Sequence, residues 1–529
     1  MQTVTHLIEE LSERCGGETA LIYGEQTYTF SELDTLGRRA AQGLRDLGVG
    51  RGDRVAMWLP NTPAYLALYF GICRIGAIAL AVNTRFRSAE VADIVGRSGA
   101  TVMVMWPGFR QIDFLGILGE CDSESLSQLR TLVIYDEGQD HGGLPAAVAH
   151  CNVVPYAKVI DRPTLAESAA EEGLGCNIFT TSGTTKAPKF VLHSQRSIAG
   201  HARTVAREFG YADSTGGLLL NLPFCGVFGF CQAMASLASG RPGILSSAFD
   251  AQEAVTQIDD HGVEFLVGTD DMLEALLDAT DREIALPSVK WAATARFATD
   301  FERFYAKAEG RGLKLVGLYG MSEVQALFAK QPLDVAADER TYGGGVMAAM
   351  EARARARNPD TGEILPHGEH GELELFGPSL MSEYFLNPEA TAEAFTQDGF
   401  VRSGDLGYTT ADGRFVYLQR MGDVLRLGGF LVSPAEIENH LLSHGDVADA
   451  QVVGIDTDRG ARPVGFVIPR PGAAFDEQAL REHCLAGLAR FKAPDRIFPI
   501  DEFPTTKSAN GTKIQRARLR QLAGELTHR

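Results

Sequence analysis

Arg54-Val55-Ala56-Met57-Trp58-Leu59 is a short apolar run with one basic residue at its head, the pattern of a strand buried on both faces. Thr101 to Trp106 (TVMVMW) and Thr131 to Asp136 (TLVIYD) repeat it downstream. Before the first run, Leu36, Ala40, Leu44 and Leu47 fall on one helical face. Strands separated by helices predict parallel sheets built from right-handed crossovers, an α/β architecture. Further out, Met350 to Arg357 (MEARARAR) alternates with period two and reads as a strand with one wet face, in a small barrel. Gly343-Gly344-Gly345 reads as a loop.

The texture changes near residue 420. Beyond it lie QVVGID (451–456), VGFVIP (464–469), a helix opened by Asp476 with Leu480, Cys484 and Leu488 on one face, and RIFPID (496–501). That is a compact α+β unit. The boundary falls at Arg420-Met421-Gly422-Asp423. The expected organisation is a large domain over 1–419, a hinge at 420–423 and a small mobile domain over 424–529.

The 529 residues carry a net charge of −19, with 45% hydrophobic and 22% charged residues, so disorder is excluded and a large core is expected. The acidity argues against nonspecific nucleic-acid binding. No apolar stretch reaches the roughly 18 residues a membrane span needs. The eight cysteines lack zinc spacing, and with no signal-peptide pattern at the start they read as reduced thiols in a cytoplasmic protein.

Four stretches carry chemistry. Phe179-Thr180-Thr181-Ser182-Gly183-Thr184-Thr185-Lys186-Ala187-Pro188-Lys189 combines small residues, hydroxyls and amines, which suits close backbone approach to phosphate oxygens. It is not a Walker loop, because Phe190 stands where Ser or Thr would follow the lysine. Tyr319-Gly320-Met321-Ser322-Glu323 sits at a strand end, where an aromatic can stack on a base and a carboxylate can hold Mg²⁺. Ser403-Gly404-Asp405-Leu406-Gly407 reads as a tight turn presenting one carboxylate to sugar hydroxyls. Asn510-Gly511-Thr512-Lys513-Ile514 places a lysine after a turn in a helix-forming tail. Each has a plain alternative: a polar surface turn, a core tyrosine, a capping aspartate, a solvated lysine. His367 and His370 have no third metal ligand in sequence, and no G-x-S-x-G elbow is present.

Taken in order, these stretches resemble the adenylate-forming superfamily of acyl-CoA synthetases, peptide-synthetase adenylation domains and luciferases. The likeness begins at Tyr28-Thr29-Phe30-Ser31-Glu32-Leu33. It runs through the 180–189 loop, Leu222-Pro223-Phe224, YGMSE at 319–323, Gly371-Glu372-Leu373, Gly377-Pro378, SGDLG at 403–407 and Arg420–Asp423, and ends at the Lys513 tail. The resemblance implies an N-terminal domain of layered αβ sheets plus a distorted β-barrel, with a small mobile α+β C-terminal domain. It implies two half-reactions: a carboxylate attacks the α-phosphate of ATP·Mg²⁺ to give an acyl-adenylate, then a nucleophile, usually the thiol of coenzyme A, displaces AMP.

By that resemblance Thr181, Ser182, Gly183, Thr184, Thr185 and Lys189 would hold the β- and γ-phosphates. Tyr319 and Gly320 would meet adenine, Ser322 the α-phosphate, Asp405 and Arg420 the ribose, and Glu323 with Thr181 the Mg²⁺. Lys513 would bridge the carboxylate and α-phosphate. Arg426, Gly428 and Gly429 would lie where the thioester-forming strand enters, and Gly422 would be the hinge. Phe224, Gly226, Val227, Phe228, Arg296 and Gly317 would border the acid pocket.

Three departures stand out. Lys186 and Phe190 replace glycines of the family's phosphate loop, which stiffens it. Gly226 stands where many relatives carry an aromatic or histidine, which predicts a pocket widened for a cyclic or branched apolar acid unless Phe228 or Phe230 refills it. Arg296 would recognise a second polar group or pair with Asp300 or Glu302. The expected function is an acid–CoA ligase, with an amide ligase and a noncatalytic nucleotide-binding protein as alternatives. The short tail after Lys513 leads to no expectation of a fused carrier domain, and a homodimer is the expected assembly.

Overall fold

The run at 54–59 forms the strand Arg54–Trp58, with Val55 through Trp58 wholly buried, and it lies inside an eight-stranded sheet. The computed structural model describes residues 2–135, 143–181, 188–295, 301–423, 425–427, 430–432, 434–457, 460–488, 490, 492–508 and 511–527. Across this sheet run Glu383–Tyr384, Phe190–Ser194, Gly175–Thr180, Ile78–Ala81, Arg54–Trp58, Val102–Met105, Thr131–Ile134 and Asn152–Pro155. From Gly175–Thr180 onward every pairing is parallel, as the helix–strand alternation predicts. Phe190–Ser194 is antiparallel to both of its neighbours.

The helix Phe30–Asp46 opens on a capping box: Glu32 N–H donates to Thr29 Oγ1 and Thr29 N–H donates to the Glu32 carboxylate. Its buried face runs through Leu33, Gly37, Ala40, Ala41 and Leu44, with Leu36 half-buried. The apolar stripe is thus turned from the Leu36-centred reading, because two glycines let neighbouring elements approach. A Cβ at Gly37 would lie 2.9 Å from Phe70 Cβ, and one at Gly43 would strike the Val159 carbonyl.

A second sheet has nine strands, in the order Phe265–Thr269, Trp291–Ala295, Leu315–Met321, Gln325–Lys330, Gly344–Met347, Phe415–Arg420, Val401–Thr409, Gly371–Phe376 and Arg353–Arg357. The first three are parallel and the rest antiparallel, so one sheet passes from an αβ layer into the part expected to be barrel-like. Gly344 and Gly345 belong to a strand and not to a loop. Their φ values are +110° and +105°, and a Cβ would fall 2.2 Å from the Phe415 carbonyl and 2.3 Å from Lys330 backbone. The glycines let three backbones pack edge to edge.

Ser403–Gly407 is likewise no turn; it lies within Val401–Thr409, with Gly404 at φ +67° and a register shift at Leu406. In Arg353–Arg357 the alternation holds, but the wet face is partly dry. Arg355 and Arg357 each reach a carboxylate oxygen of the buried Glu374, at 2.6 Å. A small four-stranded sheet completes this region.

After Arg420 a single 3₁₀ turn, Met421–Asp423, precedes structure with its own core. There Val447–Thr457, Gly460–Pro469 and Arg496–Pro499 form a three-stranded sheet, and Asp476 caps the helix Glu477–Gly487 as read from sequence. Leu480 and Cys484 are buried in it. The lysine expected after a turn in a helix-forming tail lies in the second strand of the hairpin Thr505–Ser508/Gly511–Ile514, where Lys513 pairs with Thr506. The helix Arg516–Thr527 follows.

Candidate active site

The phosphate-loop stretch leaves the first sheet at the carboxyl end of Gly175–Thr180, the edge at which open α/β sheets receive ligands. Its base is closed by two bonds: Thr181 N–H donates to the Lys189 carbonyl and Lys189 N–H to Thr181 Oγ1, both at 3.1 Å. Ser182, Gly183, Thr184, Thr185 and Lys186 lie outside the described residues, as do Arg296, Asp300, Gly428 and Gly429. Phe190, in place of a glycine, buries its ring beneath Arg97, whose guanidinium sits 4.4 Å from the ring centre and donates to the Pro188 carbonyl.

Lys189 extends over the ring of Tyr384, its Nζ 4.3 Å from the centroid. The Tyr384 hydroxyl donates to Glu323 Oε1 at 2.8 Å. Tyr384 thereby joins the lysine of the phosphate loop to the carboxylate of the 319–323 turn. Burial, with the Glu323 charge beside it, raises the Tyr384 phenol, so it remains a donor. Sequence reading missed this residue. It sits in a two-residue strand, Glu383–Tyr384, too short to show a period, and only the nearby Gly377-Pro378 marked the region.

Tyr319 and Asp405 meet across the second sheet. The Tyr319 hydroxyl donates to Asp405 Oδ2 at 2.5 Å, and its ring, 5% exposed, packs edge-on against Phe415 and obliquely against Tyr417. Asp405 is opposite Arg420 in register. Arg420 Nη1 lies 3.0 Å from Asp405 Oδ1 but directs its hydrogen to the Ser403 carbonyl, so among the described residues Oδ1 is buried without a hydrogen-bond donor. Burial pushes the Asp405 carboxyl up, against the pull of Arg420 and Tyr319, to about 6. Asp405 also feels the Glu323 charge, so these groups share one locale.

An orphaned, buried carboxylate oxygen is what a sugar hydroxyl satisfies, and the ribose of ATP fits there. Mg²⁺ fits the donor set too. Glu323 and the Thr181 hydroxyl are the sparse oxygen ligands this ion takes when phosphates supply the rest. Gly320 is a glycine for packing, since a Cβ there would lie 2.5 Å from Ala326 Cα.

Gly317 is closed off in the same manner. Its missing side chain would strike the Tyr342 carbonyl at 2.0 Å, so its place is explained by strand packing and not by pocket space. Gly226 caps the apolar helix Val227–Ser239, with Val227 and Phe228 buried behind it. Phe224 is core: its ring packs edge-on against Tyr65, and its amide donates to Asn61 Oδ1. Phe230 packs against Tyr69 and Phe179.

Two buried histidines, also missed, reach the 319–327 segment. His193 Nε2 is 2.7 Å from the Ser322 carbonyl and His201 Nε2 2.7 Å from that of Ala326. Burial lowers both to about 4. A histidine inside the apolar run Phe190–Ser194 was the available sign of the first.

The AMP-binding enzyme family model matches residues 8–385, and that for the AMP-binding enzyme C-terminal domain matches 436–510. The chain belongs to this adenylate-forming family. Among curated proteins, it is 31% identical over 494 residues to sulfoacetate–CoA ligase of Cupriavidus necator, covering 92% of this chain and 90% of that one. It is 30% identical over 527 residues to 3-[(3aS,4S,7aS)-7a-methyl-1,5-dioxo-octahydro-1H-inden-4-yl]propanoyl:CoA ligase of Mycobacterium tuberculosis, covering 99% of each. Among solved structures, ATP-bound MatB from Rhodopseudomonas palustris superposes with a TM-score of 0.83 at 22% identity, covering 99% of each chain, a likeness of fold.

Within the family the chain is an acyl-CoA synthetase, an ATP-dependent ligase acting through an acyl-adenylate. ATP and Mg²⁺ serve the reaction, and a small carboxylic acid and coenzyme A are its substrates. No helix among the described residues is long and apolar enough to cross a membrane.

Proposed function

We propose that this synthetase activates a bulky cyclic or branched apolar acid, with the nucleotide held between the 319–323 turn, Asp405 and the 180–189 loop. The observation that carries the nucleotide site is the orphaned Asp405 Oδ1 set beside Arg420 and Tyr319. Asp405 and Arg420 take the ribose, and Tyr319 fixes Asp405 while offering adenine what remains of its ring. Ser322 contacts the α-phosphate. Lys189 and the hydroxyls of Thr181, Ser182, Thr184 and Thr185, with the Gly183 backbone, hold the outer phosphates. Glu323 and Thr181 hold the metal.

The acid's carboxylate oxygen forms a bond to the α-phosphorus and pyrophosphate leaves. Lys513, from the C-terminal hairpin, neutralises the charge that gathers as two anions meet. The C-terminal domain then turns about Gly422, where an added side chain would meet nothing within 4 Å. The strand Leu425–Leu427, with Arg426, and the glycines at 428 and 429 then frame the thiol, which attacks the acyl carbon and expels AMP.

Gly226 supports the acid class. Of the two rings that could refill its space, Phe230 packs instead against Tyr69 and Phe179. Arg296 is assigned to a second polar group on the acid. The relative that acts on a bicyclic propanoate agrees with this reading, whereas the sulfoacetate ligase argues for a smaller, anionic acid.

Pyrophosphate release over a panel of acids, with and without coenzyme A, tests the reading. Highest kcat/KM for ring-bearing acids, with turnover dependent on coenzyme A, is expected. A linear saturated or sulfonated acid at the top of the panel overturns the acid class. Release that yields an amide with an added amine, and no thioester, overturns the thiol acceptor. All eight cysteines are free thiols and seven are buried, which supports a cytoplasmic location. A homodimer is the assembly proposed, and sedimentation velocity checks it.

A further inference from the structure

The turn between Leu315–Met321 and Gln325–Lys330 is built unlike an ordinary hairpin. Gln325 and Leu327, neither of them glycine, sit at φ +66° and +64°, and the strand register shifts between Tyr319 and Met321. Such backbone persists only where its surroundings fix it. Its carbonyls are accordingly satisfied from outside the turn. Ser322 accepts from His193 Nε2 at 2.7 Å, Glu323 from Met381 N–H at 2.7 Å, Val324 from Ser379 Oγ at 2.8 Å, and Ala326 from His201 Nε2 at 2.7 Å.

The Gln325 amide completes the frame by donating to the Ser197 carbonyl at 3.0 Å. His193 is the penultimate residue of the strand Phe190–Ser194, and Ser197 and His201 lie on one face of the helix Gln195–Glu208, four residues apart. That strand and helix directly follow the phosphate loop. A carbonyl only accepts, so Nε2 carries the proton in both rings, and His193 Nδ1 is left 3.4 Å from Ser197 Oγ.

We infer that His193 and His201 are positioning residues for the nucleotide: donating to the Ser322 and Ala326 carbonyls, they clamp the strained turn so that Ser322 and Glu323 meet the phosphates and metal in fixed geometry. This rests on the nucleotide-site reading above. It also gives the helix Gln195–Glu208 a role, since one rigid element then ties the phosphate loop to the turn that faces it. Neither imidazole touches a reacting atom. Each is 5% exposed or less.

The test compares His193→Leu, His193→Gln and His201→Leu with the unaltered chain. Three quantities are measured: the Kd for ATP by calorimetry at several Mg²⁺ concentrations, acid-dependent pyrophosphate release, and coenzyme A-dependent consumption of supplied acyl-adenylate. Melting curves identify variants that fold. Loss of outer partners of this kind typically costs roughly 10- to 100-fold in metal affinity or activity. His193→Leu should therefore weaken Mg²⁺-dependent ATP binding and slow pyrophosphate release by that factor, while adenylate consumption changes less than about threefold. His193→Gln keeps an N–H donor and should recover most of the loss.

Equal losses in both half-reactions, or a lowered Tm with unchanged ATP affinity, would mean the histidines are merely structural and would overturn the clamp. A His193→Gln variant no better than His193→Leu would do the same. Failure of the unaltered chain to bind ATP overturns the nucleotide site, and the clamp with it.

Discussion

The turn at 319–327 and the hairpin at 505–514 both carry residues assigned to one reaction centre, and they are built in opposite ways. The turn is buried, strained, and held by side chains from three other segments. Among the described residues the hairpin is two short strands paired with each other alone, attached to its domain through what flanks it. Arg516, three residues past Lys513, pairs with the buried Glu438 at 2.9 Å, and Glu438 also accepts from Val452 N–H. A site that must keep its nucleotide through two chemical steps needs one wall that does not yield. A lysine needed for only one of them is better mounted where it can leave.

The sharpest way to break that comparison is Lys513→Ala. Removing the Lys513 cation should cost about 10²- to 10³-fold in acid-dependent pyrophosphate release and leave consumption of added adenylate nearly untouched. Full release by the variant would show that the turn's side of the site suffices.

Next in size is Glu438→Ala. It strands Arg516 and frees the foot of the hairpin. Breaking a fully buried pair costs about 3–5 kcal/mol, and the partial exposure of Arg516, 22% of its side chain, reduces this to about 2–3 kcal/mol. Denaturant unfolding followed on a C-terminal probe measures it. If adenylation falls no further than stability explains, Glu438 does not orient Lys513.

Asp405 offers a smaller and reversible effect. With its carboxyl near 6, the acceptor form is about a tenth populated at pH 5, so KM for ATP should rise about tenfold between pH 7 and pH 5, and Asp405→Asn should flatten that dependence. A KM that is flat with pH in the unaltered chain would remove Asp405 from the ribose. The same shift predicts a cost in stability. A folded-state value above the unfolded one means the folded chain holds the extra proton, so stability falls as pH rises through about 4 to 6. Ligand-free Asp405→Asn should accordingly melt higher at neutral pH.

The sequence disclosed the strands whose apolar runs were long enough to count, and the residues whose neighbours along the chain carry the same chemistry. It concealed what depends on distant backbone. Gly344 and Gly345 look like a loop until the strands at Lys330 and Phe415 are seen to need their missing side chains. Asp405 looks like a turn until Gly404 is seen as a kink within a strand. Tyr384, His193 and His201 carry no local pattern because their partners lie 61, 129 and 125 residues away. The lysine was visible, but its mounting was not: a helix-rich tail hid a hairpin that forms only by pairing Thr505–Ser508 with Gly511–Ile514.

The smallest effect sharpens the rigid half of the comparison through acid stability. His193 and His201 sit near 4 when folded, while an unfolded histidine titrates near 6.5. Between those values the unfolded chain binds the extra protons, so stability is lost as pH falls from about 6.5 toward 4. The slope approaches ~1.4 kcal/mol per pH unit for each histidine. Over part of this window Asp405, Glu372 and Glu438, all raised by burial, work in the opposite sense, so the effect of the histidines is read as the difference from a variant that leaves those carboxyls in place. The double variant His193→Gln/His201→Gln should lose most of the acid limb of a Tm-against-pH curve while keeping its donors to Ser322 and Ala326. If the limb is unchanged, the two imidazoles are not held neutral in the folded chain, and the wall they brace is less closed to water than its burial implies.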